Sequence, residues 1–235
     1  MSEHKLRLGY ERKRDLGHEQ SLFHPLYLHF SSMIDEIKNF FDELPSQGLV
    51  IYDFGCGSKP YKSFAKKNTY MGIDIDSKNV LADVHSDIHN VPVGDETADV
   101  VVSFCTLEHV EEPIKVMIEM HRILRKHGRL FVVVPLYWEE HEQPYDFYRF
   151  TRYGLEYLAK QSGFKEIDIR EVNGGHALVG MNLARLATCW KVFYFMVPLI
   201  NYVFRKLENR SFKKSKKDNI KLSNVMTFSM RAIKK

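Results

Sequence analysis

Four short, continuous apolar runs constrain the fold of this chain more than any other feature. They read LVIYDF (49–54), TYMGID (69–74), DVVVSF (99–104) and RLFVVVP (129–135). An unbroken run of this length is typical of a strand covered on both faces, as in a parallel sheet. Two further strand-like segments, FKEIDIREV (164–172) and VMTFSMRAI (225–233), follow later in the chain.

Helical patterns lie between and before these runs. Residues 21–44 carry apolar side chains at spacings of three and four, which predicts an amphipathic helix. Pro113 suits a first helical turn, and the apolar stripe over 116–124 predicts a helix that closes at Gly128. Thr151 is expected to cap a further helix. Alternation at this pitch predicts an α/β fold with a doubly wound parallel sheet.

Composition excludes several other classes of protein. The 235 residues suffice for one large domain, and a net charge of +4 is too small to indicate a nucleic-acid partner. The three cysteines are widely separated, which argues against a disulfide framework and predicts a reducing, cytoplasmic location. The charged N-terminus has no apolar segment behind it, so we expect no secretory signal.

The chain is expected to have three parts. Residues 1–46 form a polar, mobile arm and a helix, 47–175 with 223–235 form the main domain, and 176–222 form an insertion. The insertion has an apolar stretch (186–204) followed by a basic one. Three interpretations stay open for it: a lid or homodimer face, a peripheral element at the inner membrane surface, or a transmembrane helix interrupted by polar residues.

The sharpest local motif is DFGCGSKPY (53–61), which leaves the first strand and is expected to enter a helix. Gly55 and Gly57 permit a tight turn and close approach of the backbone to a ligand. The N-terminus of the expected helix offers unpaired N–H groups to polar ligand atoms. Asp74 ends the second strand, where a carboxylate can accept hydrogen bonds from both hydroxyls of a ribose. The alternative is a tight turn that binds nothing.

The ordered motifs DFGCG, YMGIDI, SDIHNVPV, ADVVVSFCTLEHV and ILRKHGRLFVVVP resemble the class I S-adenosylmethionine-dependent methyltransferases of the type 11 group over residues 47–172. VMTFSMRAIKK (225–235) is similar to the final antiparallel strand of that fold. The resemblance implies a Rossmann-like, mostly parallel seven-stranded sheet with an antiparallel last strand and helices on both faces. It also implies S-adenosylmethionine as the cofactor.

The resemblance implies roles for matching positions. Asp53 would lie near the amino group of the cofactor, Asp74 at the ribose, Ile75 against the adenine and Asp87 at its exocyclic amine, with His109 beside the sulfonium. The implied cofactor-binding set is Asp53, Gly55, Gly57, Asp74, Ile75, Asp87, Ile88, Thr106 and Leu107. One departure is Lys59, which stands where the family often has a third glycine.

The segment PLYWEEHEQPYDFYRFTRYGLEYL (135–158) resembles a loop and helix of type 11 members associated with bacterial cell-surface glycan pathways. Its mixture of charges and aromatic rings suits a polar acceptor in a cleft. A capping loop with solvated charges could have the same composition. The expected acceptor-binding residues are Tyr145, Asp146, Tyr148 and Arg149. A hydroxyl acceptor needs a base, for which the candidates are His109, His141 and then Glu140.

Metal ligands are not indicated, because the chain has no HExxH motif and no paired CxxC motif. The sequence therefore predicts a methyltransferase that acts on a small or glycan-linked acceptor and makes an O-methyl product. One alternative is a catalytically silent domain that acts through the insertion. Another is a nicotinamide-dependent oxidoreductase, which expects G-x-G-x-x-G, whereas Pro60 occupies the third glycine position here.

Overall fold

The structure, a computed structural model, describes residues 20–189, 191–218 and 224–235. Its centre is a seven-stranded sheet in the order β3-β2-β1-β4-β5-β7-β6. The strands are β1 (Gln47–Phe54), β2 (Lys67–Asp74), β3 (Val84–His85), β4 (Ala98–Phe104), β5 (Leu124–Pro135), β6 (Lys165–Asn173) and β7 (Thr227–Ile233). The expected arm at residues 1–19 lies outside the described residues.

The pairing of the strands confirms the predicted sheet. β1 pairs in parallel with β2 and β4, β4 with β5, and β2 with β3. β7 lies antiparallel beside β5: His127 N–H donates to the Lys234 carbonyl at 2.7 Å, and Lys234 N–H donates to the Gly128 carbonyl at 3.1 Å. The mostly parallel sheet with its antiparallel last strand is the Rossmann-like fold expected from the resemblance.

Five α-helices lie in the described part of the chain. They are α1 (Tyr27–Asp42), α2 (Pro113–Ile123), α3 (Arg152–Gln161), α4 (Gly175–Cys189) and α5 (Val197–Asp218). The predicted helix over 21–44 is thus shorter at both ends, with turns at 21–26. The prediction that α2 closes at Gly128 is wrong, because Leu124 is already extended and pairs with Ala98 as the start of β5.

The expected α-helix after the glycine turn is also absent. Between Phe54 and Lys67 the structure has only a 3-10 helix, Lys62–Ala65. Lys66 adopts a positive φ of 56° directly after it, and the chain then enters β2. Residues 55–66 thus hold no α-helix, and no α-helix N-terminus faces the turn.

The residues divide into two compact units. Lys38–Arg170 and Ser229–Lys235 form the first; Glu171–Phe228 and the described residues up to Ile37 form the second. In the first unit, the rings of Phe40 and Phe131 stack with centroids 4.1 Å apart, and the Arg231 guanidinium lies 5.4 Å from the Phe40 centroid. This packing fixes β5 and β7 against the C-terminal end of α1.

The second unit has its own polar and apolar contacts. Glu208 on α5 is buried and accepts the Gly174 N–H and, at 3.1 Å, the Ala177 N–H, so it caps the first turn of α4. A Cβ atom at Gly180 would overlap Leu28 and Phe204, so glycine permits close helix packing there.

The apolar stretch at 186–204 does not form one long helix. It is divided among the end of α4, the 3-10 helix Lys191–Met196 and the start of α5. Among the described residues, no helix is long and apolar enough to cross a membrane.

Thr151 caps α3 as predicted, with Oγ1 accepting the Gly154 N–H at 3.1 Å. We expect Thr151→Ala to lower the free energy of unfolding by about 1 kcal/mol, because one N–H of the first helical turn loses its acceptor. Thr151→Ser keeps the acceptor and is the control. Urea unfolding of the three proteins measures the difference, and equal stability of the alanine and serine variants would contradict it.

Candidate active site

The sheet order brings three polar strand ends together. β2, β1 and β4 are adjacent and parallel, so their carboxyl ends lie along one edge of the sheet. Asp53 lies near the end of β1, Asp74 ends β2, and Thr106 follows β4. In open parallel sheets this edge is where ligands bind.

Asp53 is a buried carboxylic acid, with 1% of its surface exposed. Its Oδ2 accepts a hydrogen bond from the Tyr70 hydroxyl at 2.6 Å, whereas Oδ1 has no partner among the described residues. Burial raises the pKa of Asp53 to about 7, although the Tyr70 hydrogen bond opposes the shift. A buried acceptor without a donor is uncommon, and it suits a ligand that brings one.

The glycine turn follows Asp53 directly. Gly55 has φ 73° and Gly57 φ 47°, a conformation that side chains with a Cβ atom adopt at a cost. A Cβ atom at Gly55 would also overlap the Thr106 side chain. The turn is held to β2 by Gly55 N–H and Cys56 N–H, which both donate to the Ile73 carbonyl at 3.0 Å. Glycine is therefore required at 55 for both backbone conformation and space.

Lys59 occupies the position where the resembling family often has a third glycine. Its φ is 52°, so the lysine adopts the left-handed conformation for which glycine is usual. Its buried ammonium group donates to the Asp83 carboxylate, which also accepts the Gly72 N–H at 2.7 Å. A Cβ atom at Gly72 would overlap the Lys59 side chain. This buried ion pair was not predicted from the sequence, where Gly72 within a strand was its signal.

Asp74 links the end of β2 to the glycine turn. Its Oδ2 accepts the Gly57 N–H and its Oδ1 accepts the Asp76 N–H, each at 2.9 Å. Ile75, which follows, is 56% exposed. A fixed carboxylate beside an exposed aliphatic side chain is the arrangement that a ribose and its base require.

Asp87 and Ile88 follow the short strand β3. Asp87 accepts the His89 N–H at 2.9 Å and lies 2.6 Å from the His89 ring nitrogen. Partial burial acts to raise the pKa of Asp87, but the hydrogen bonds from His89 outweigh it and hold the pKa below its usual range. Ile88 is buried. The polar and apolar positions implied at the adenine thus lie side by side.

The segment after β4 forms a 3-10 helix, Leu107–His109, in which all three residues are buried. Thr106 precedes it, and its hydroxyl donates to the carbonyls of Phe104 at 3.2 Å and Gly55 at 3.5 Å. This segment therefore lies against the glycine turn and carries Glu108 and His109 beside it.

His109 lies among several acidic groups. Its Nδ1 donates to the Tyr145 carbonyl at 2.8 Å, since a carbonyl can only accept. Its Nε2 lies 3.9 Å from Glu108 Oε1 and 3.9 Å from Glu142 Oε2. The His141 ring meets the His109 ring edge to face, with centroids 4.6 Å apart. The structure thus brings together two of the three residues predicted as bases.

Glu108 was not predicted as a site residue, although it stands between Leu107 and His109 in the motif LEH. Its side chain is wholly buried, and neither carboxyl oxygen has a hydrogen-bond partner among the described side chains. Burial raises the pKa of Glu108 to about 8. The third predicted base, Glu140, lies instead at the surface, where it accepts a hydrogen bond from Gln143 at 3.2 Å.

The predicted acceptor-binding residues lie in the β5–α3 loop (136–151) and divide into two pairs. Asp146 and Arg149 bind each other at 2.6 and 2.8 Å, and Arg149 also donates to the Trp138 and Glu139 carbonyls. They hold the loop together. Tyr145 and Tyr148 are 40% and 39% exposed. Tyr61, the last residue of the motif 53–61, is buried against Phe104, with ring centroids 4.8 Å apart.

Comparison with known proteins gives a partial family match and several solved structures of the same fold. Residues 52–132 match a family model described as a methyltransferase domain. A search of curated proteins gave no match. Among solved structures, a Thermotoga maritima S-adenosylmethionine-dependent methyltransferase, described as a possible histamine N-methyltransferase, is 17% identical at a TM-score of 0.61, covering 99% of this chain and 100% of that chain.

Two further structures share the fold. The [4+2]-cyclase SpnF is 17% identical at a TM-score of 0.57, covering 87% of this chain and 80% of that chain. Haemonchus contortus phosphoethanolamine N-methyltransferase 2, in complex with S-adenosylmethionine, is 16% identical at a TM-score of 0.57, covering 86% of this chain and 52% of that chain. At such identities these likenesses show the fold alone.

Residues 52–132 therefore match a methyltransferase domain, and the fold of the chain is that of class I methyltransferases. The methyltransferase match implies S-adenosylmethionine as the cofactor. The site fits that group: Asp53 Oδ1 is a buried acceptor without a donor, and Gly55 leaves the backbone uncovered beside it.

The raised pKa of Asp53 predicts a pH-dependent stability. Between its ordinary value of 3.8 and about 7, the folded protein retains a proton on Asp53 that the unfolded chain releases. The stability that this proton contributes is present below about pH 4 and is lost as the pH rises through about 7, to a limit of about 4 kcal/mol. We therefore expect the cofactor-free protein to lose stability relative to Asp53→Asn over this range.

Denaturant unfolding from about pH 4 to 8 measures this difference. The control is Asp168→Asn, which changes an exposed carboxylate. A stability difference between the wild type and Asp53→Asn that does not vary with pH would contradict the buried-acid interpretation.

Proposed function

We propose that this methyltransferase methylates a hydroxyl oxygen of a small or glycan-linked acceptor. The observation that carries the proposal is the cluster of buried Glu108 and His109 with half-buried His141, next to the end of β4 and the glycine turn. A hydroxyl acceptor loses its proton as the new bond forms, so it requires groups of this kind next to the cofactor.

The cofactor end of the site is proposed to be held by the strand ends. When bound, S-adenosylmethionine supplies an electrophilic methyl group on a sulfonium. Asp53 Oδ1 would accept a hydrogen bond from its amino group, and Asp74, fixed by two backbone amides, would accept from the ribose hydroxyls. Ile75 would cover the adenine, and Asp87 would accept from its amine. The turn at Gly55 and Gly57 lets the backbone approach closely.

The acceptor end is proposed to be built by the β5–α3 loop. His141 is positioned through its backbone N–H, which donates to Asp146 Oδ2 at 2.9 Å, and Asp146 is in turn held by Arg149. His109 is oriented by the Tyr145 carbonyl. These contacts favour His109 and His141 over the surface residue Glu140 as the groups that act on the acceptor.

Exposed aromatic rings on the same loop support a glycan-linked acceptor. Tyr145, Phe147 and Tyr148 each expose about two fifths of their surface beside the acidic groups of the loop. Aromatic faces with adjacent carboxylates provide apolar contact and hydrogen bonding to a polyhydroxylated ligand. A catalytically silent interaction domain remains the alternative, and it predicts cofactor binding without turnover on any acceptor.

A first prediction concerns the ribose contact. We expect Asp74→Asn to weaken binding of S-adenosylhomocysteine by about 1–3 kcal/mol, because an amide replaces the charged acceptor while one oxygen still serves the turn. Calorimetry measures the dissociation constant, with Asp168→Asn as the control. An unchanged constant in the folded variant would place the ribose elsewhere.

A second prediction separates the two ends of the site. We expect His141→Ala to reduce kcat at least tenfold with an active acceptor, while the affinity for S-adenosylhomocysteine stays unchanged. Release of S-adenosylhomocysteine across a panel of hydroxyl, amine and glycan-linked acceptors provides the assay. His176→Ala, which removes a half-exposed imidazole in the second unit, is the control.

Two outcomes would contradict the proposal. Turnover restricted to amine acceptors would rule out O-methylation. Full activity of His141→Ala on a hydroxyl acceptor would exclude the loop cluster from the reaction.

We also propose that the segment 176–222, the predicted insertion in the main domain, contacts the inner surface of the cytoplasmic membrane. In the second unit, apolar side chains on the 3-10 helix and the start of α5 are exposed: Phe193, Tyr194, Phe195, Met196, Leu199, Tyr202 and Val203. Exposed lysines lie further along α5 at 213, 214 and 217. Aromatic rings beside basic charge suit an anionic lipid surface.

This surface predicts weak, salt-sensitive binding to vesicles that contain phosphatidylserine and little binding to neutral vesicles. The variant with Lys213, Lys214 and Lys217 changed to Gln should lose most of it, since each basic residue contributes about 1 kcal/mol near such a surface. Co-sedimentation at low and high salt measures the effect. Recovery in the supernatant throughout, together with a dimer in analytical ultracentrifugation, would instead identify the segment as a homodimer face.

A further inference from the structure

Two separate segments bring three metal-binding side chains together. Glu108 and His109 follow β4, whereas His141 lies in the β5–α3 loop, and all three belong to the first unit. One donor atom from each residue lies within 4.8 Å of the other two. Glu108 and His109 are buried and His141 is half-buried. We call these three residues the EHH cluster.

The spacing of the EHH cluster is close to that of a bound ion. Zinc takes nitrogen and oxygen ligands at about 2.0–2.2 Å, so tetrahedral ligand atoms lie about 3.3 Å apart. Nε2 of His109 is 3.9 Å from Glu108 Oε1. Movements of about 1 Å, within the range of side-chain torsions, would bring the donors to bonding distance.

Glu108 gives an independent argument for a ligand. The side chain is wholly buried, and neither oxygen has a hydrogen-bond partner among the described side chains. A buried carboxyl group in this state is costly unless it is paired or coordinates a metal. The nearest cation-forming group is the His109 imidazole at 3.9 Å, which is too distant for a hydrogen bond. A bound cation would satisfy both oxygens.

The surroundings of the histidines match those of metal ligands. His109 Nδ1 donates to the Tyr145 carbonyl, which leaves Nε2 as the coordinating nitrogen, on the side of Glu108 and Glu142. His141 Nδ1 lies 3.1 Å from the Glu139 carbonyl, 3.4 Å from Asp146 Oδ2 and 3.5 Å from an Arg149 nitrogen. Imidazoles that bind metals characteristically donate their other N–H to a carbonyl or carboxylate, which fixes ring and tautomer.

We propose that the EHH cluster binds one divalent transition-metal ion, with zinc as the representative. Two imidazoles and one carboxylate favour zinc, manganese or iron over magnesium and calcium, which prefer oxygen ligands alone. Glu142, 3.9 Å from His109 Nε2, adds a negative charge, while Arg149 is neutralised by Asp146. No metal was predicted from the sequence, because the ligands come from segments that no local spacing connects.

Three protein ligands leave a coordination position for water or an acceptor oxygen. In that respect the inference deepens the proposed function and rests on it, because a hydroxyl bound to the ion would lose its proton more readily. Metal binding itself involves no cofactor and no acceptor. It can therefore fail while methyl transfer holds, or hold while methyl transfer fails.

The test is titration of the full chain, without a histidine tag and after treatment with a chelator, with zinc chloride in a calorimeter and cobalt chloride in a spectrophotometer. The expected result is one ion per chain, with visible cobalt bands of a tetrahedral or five-coordinate site. Glu108→Gln and His141→Ala should each weaken binding at least tenfold, whereas His176→Ala should bind as the wild type does.

The melting temperature, measured with and without zinc, gives a second measure of metal binding. Zinc should raise the melting temperature of the wild type and of His176→Ala, but not that of Glu108→Gln, which should fold because its side chain has the same size as that of glutamate. Absence of stoichiometric binding would overturn the proposal. So would equal binding by Glu108→Gln, His141→Ala and the wild type.

Discussion

Parallel pairing of β1 with β2 on one side and β4 on the other is the constraint on which the site depends. It places the end of each strand at one edge of the sheet, so that Asp53, Asp74 and Thr106 become neighbours although they are far apart in sequence. The turn at Gly55 can follow β1 only because no Cβ atom intrudes on Thr106. The apolar strands therefore determine where the polar groups meet.

Burial then gives these polar groups their chemistry. The pKa of Asp53 rises to about 7 and that of Glu108 to about 8, in both cases chiefly because the charged form is removed from water. Asp53 lies at the proposed cofactor end and Glu108 at the proposed acceptor end. Asp53 has one oxygen and Glu108 has two that lack a hydrogen-bond partner among the described residues, so each carboxyl group can accept a cationic or donating ligand.

The sequence predicted elements whose signal is local and missed features that depend on distant pairing. The buried strands were evident as apolar runs, and the Thr151 cap as a residue type at a helix start. The early end of α2 was missed because Leu124 pairs with Ala98 across the sheet. The EHH cluster was not predicted, because His141 reaches His109 through a loop. Hydrophobic periodicity does not predict the course of a loop.

We propose that the strand ends of β1 and β2 hold S-adenosylmethionine. A crystal structure of the protein grown with S-adenosylhomocysteine tests it most directly. The account predicts electron density with both ribose hydroxyls within hydrogen-bond distance of Asp74, the amino group at Asp53 Oδ1, and the backbone of Gly55 and Gly57 against the ligand. Density at any other place, or binding of NAD in preference to S-adenosylhomocysteine, would contradict it.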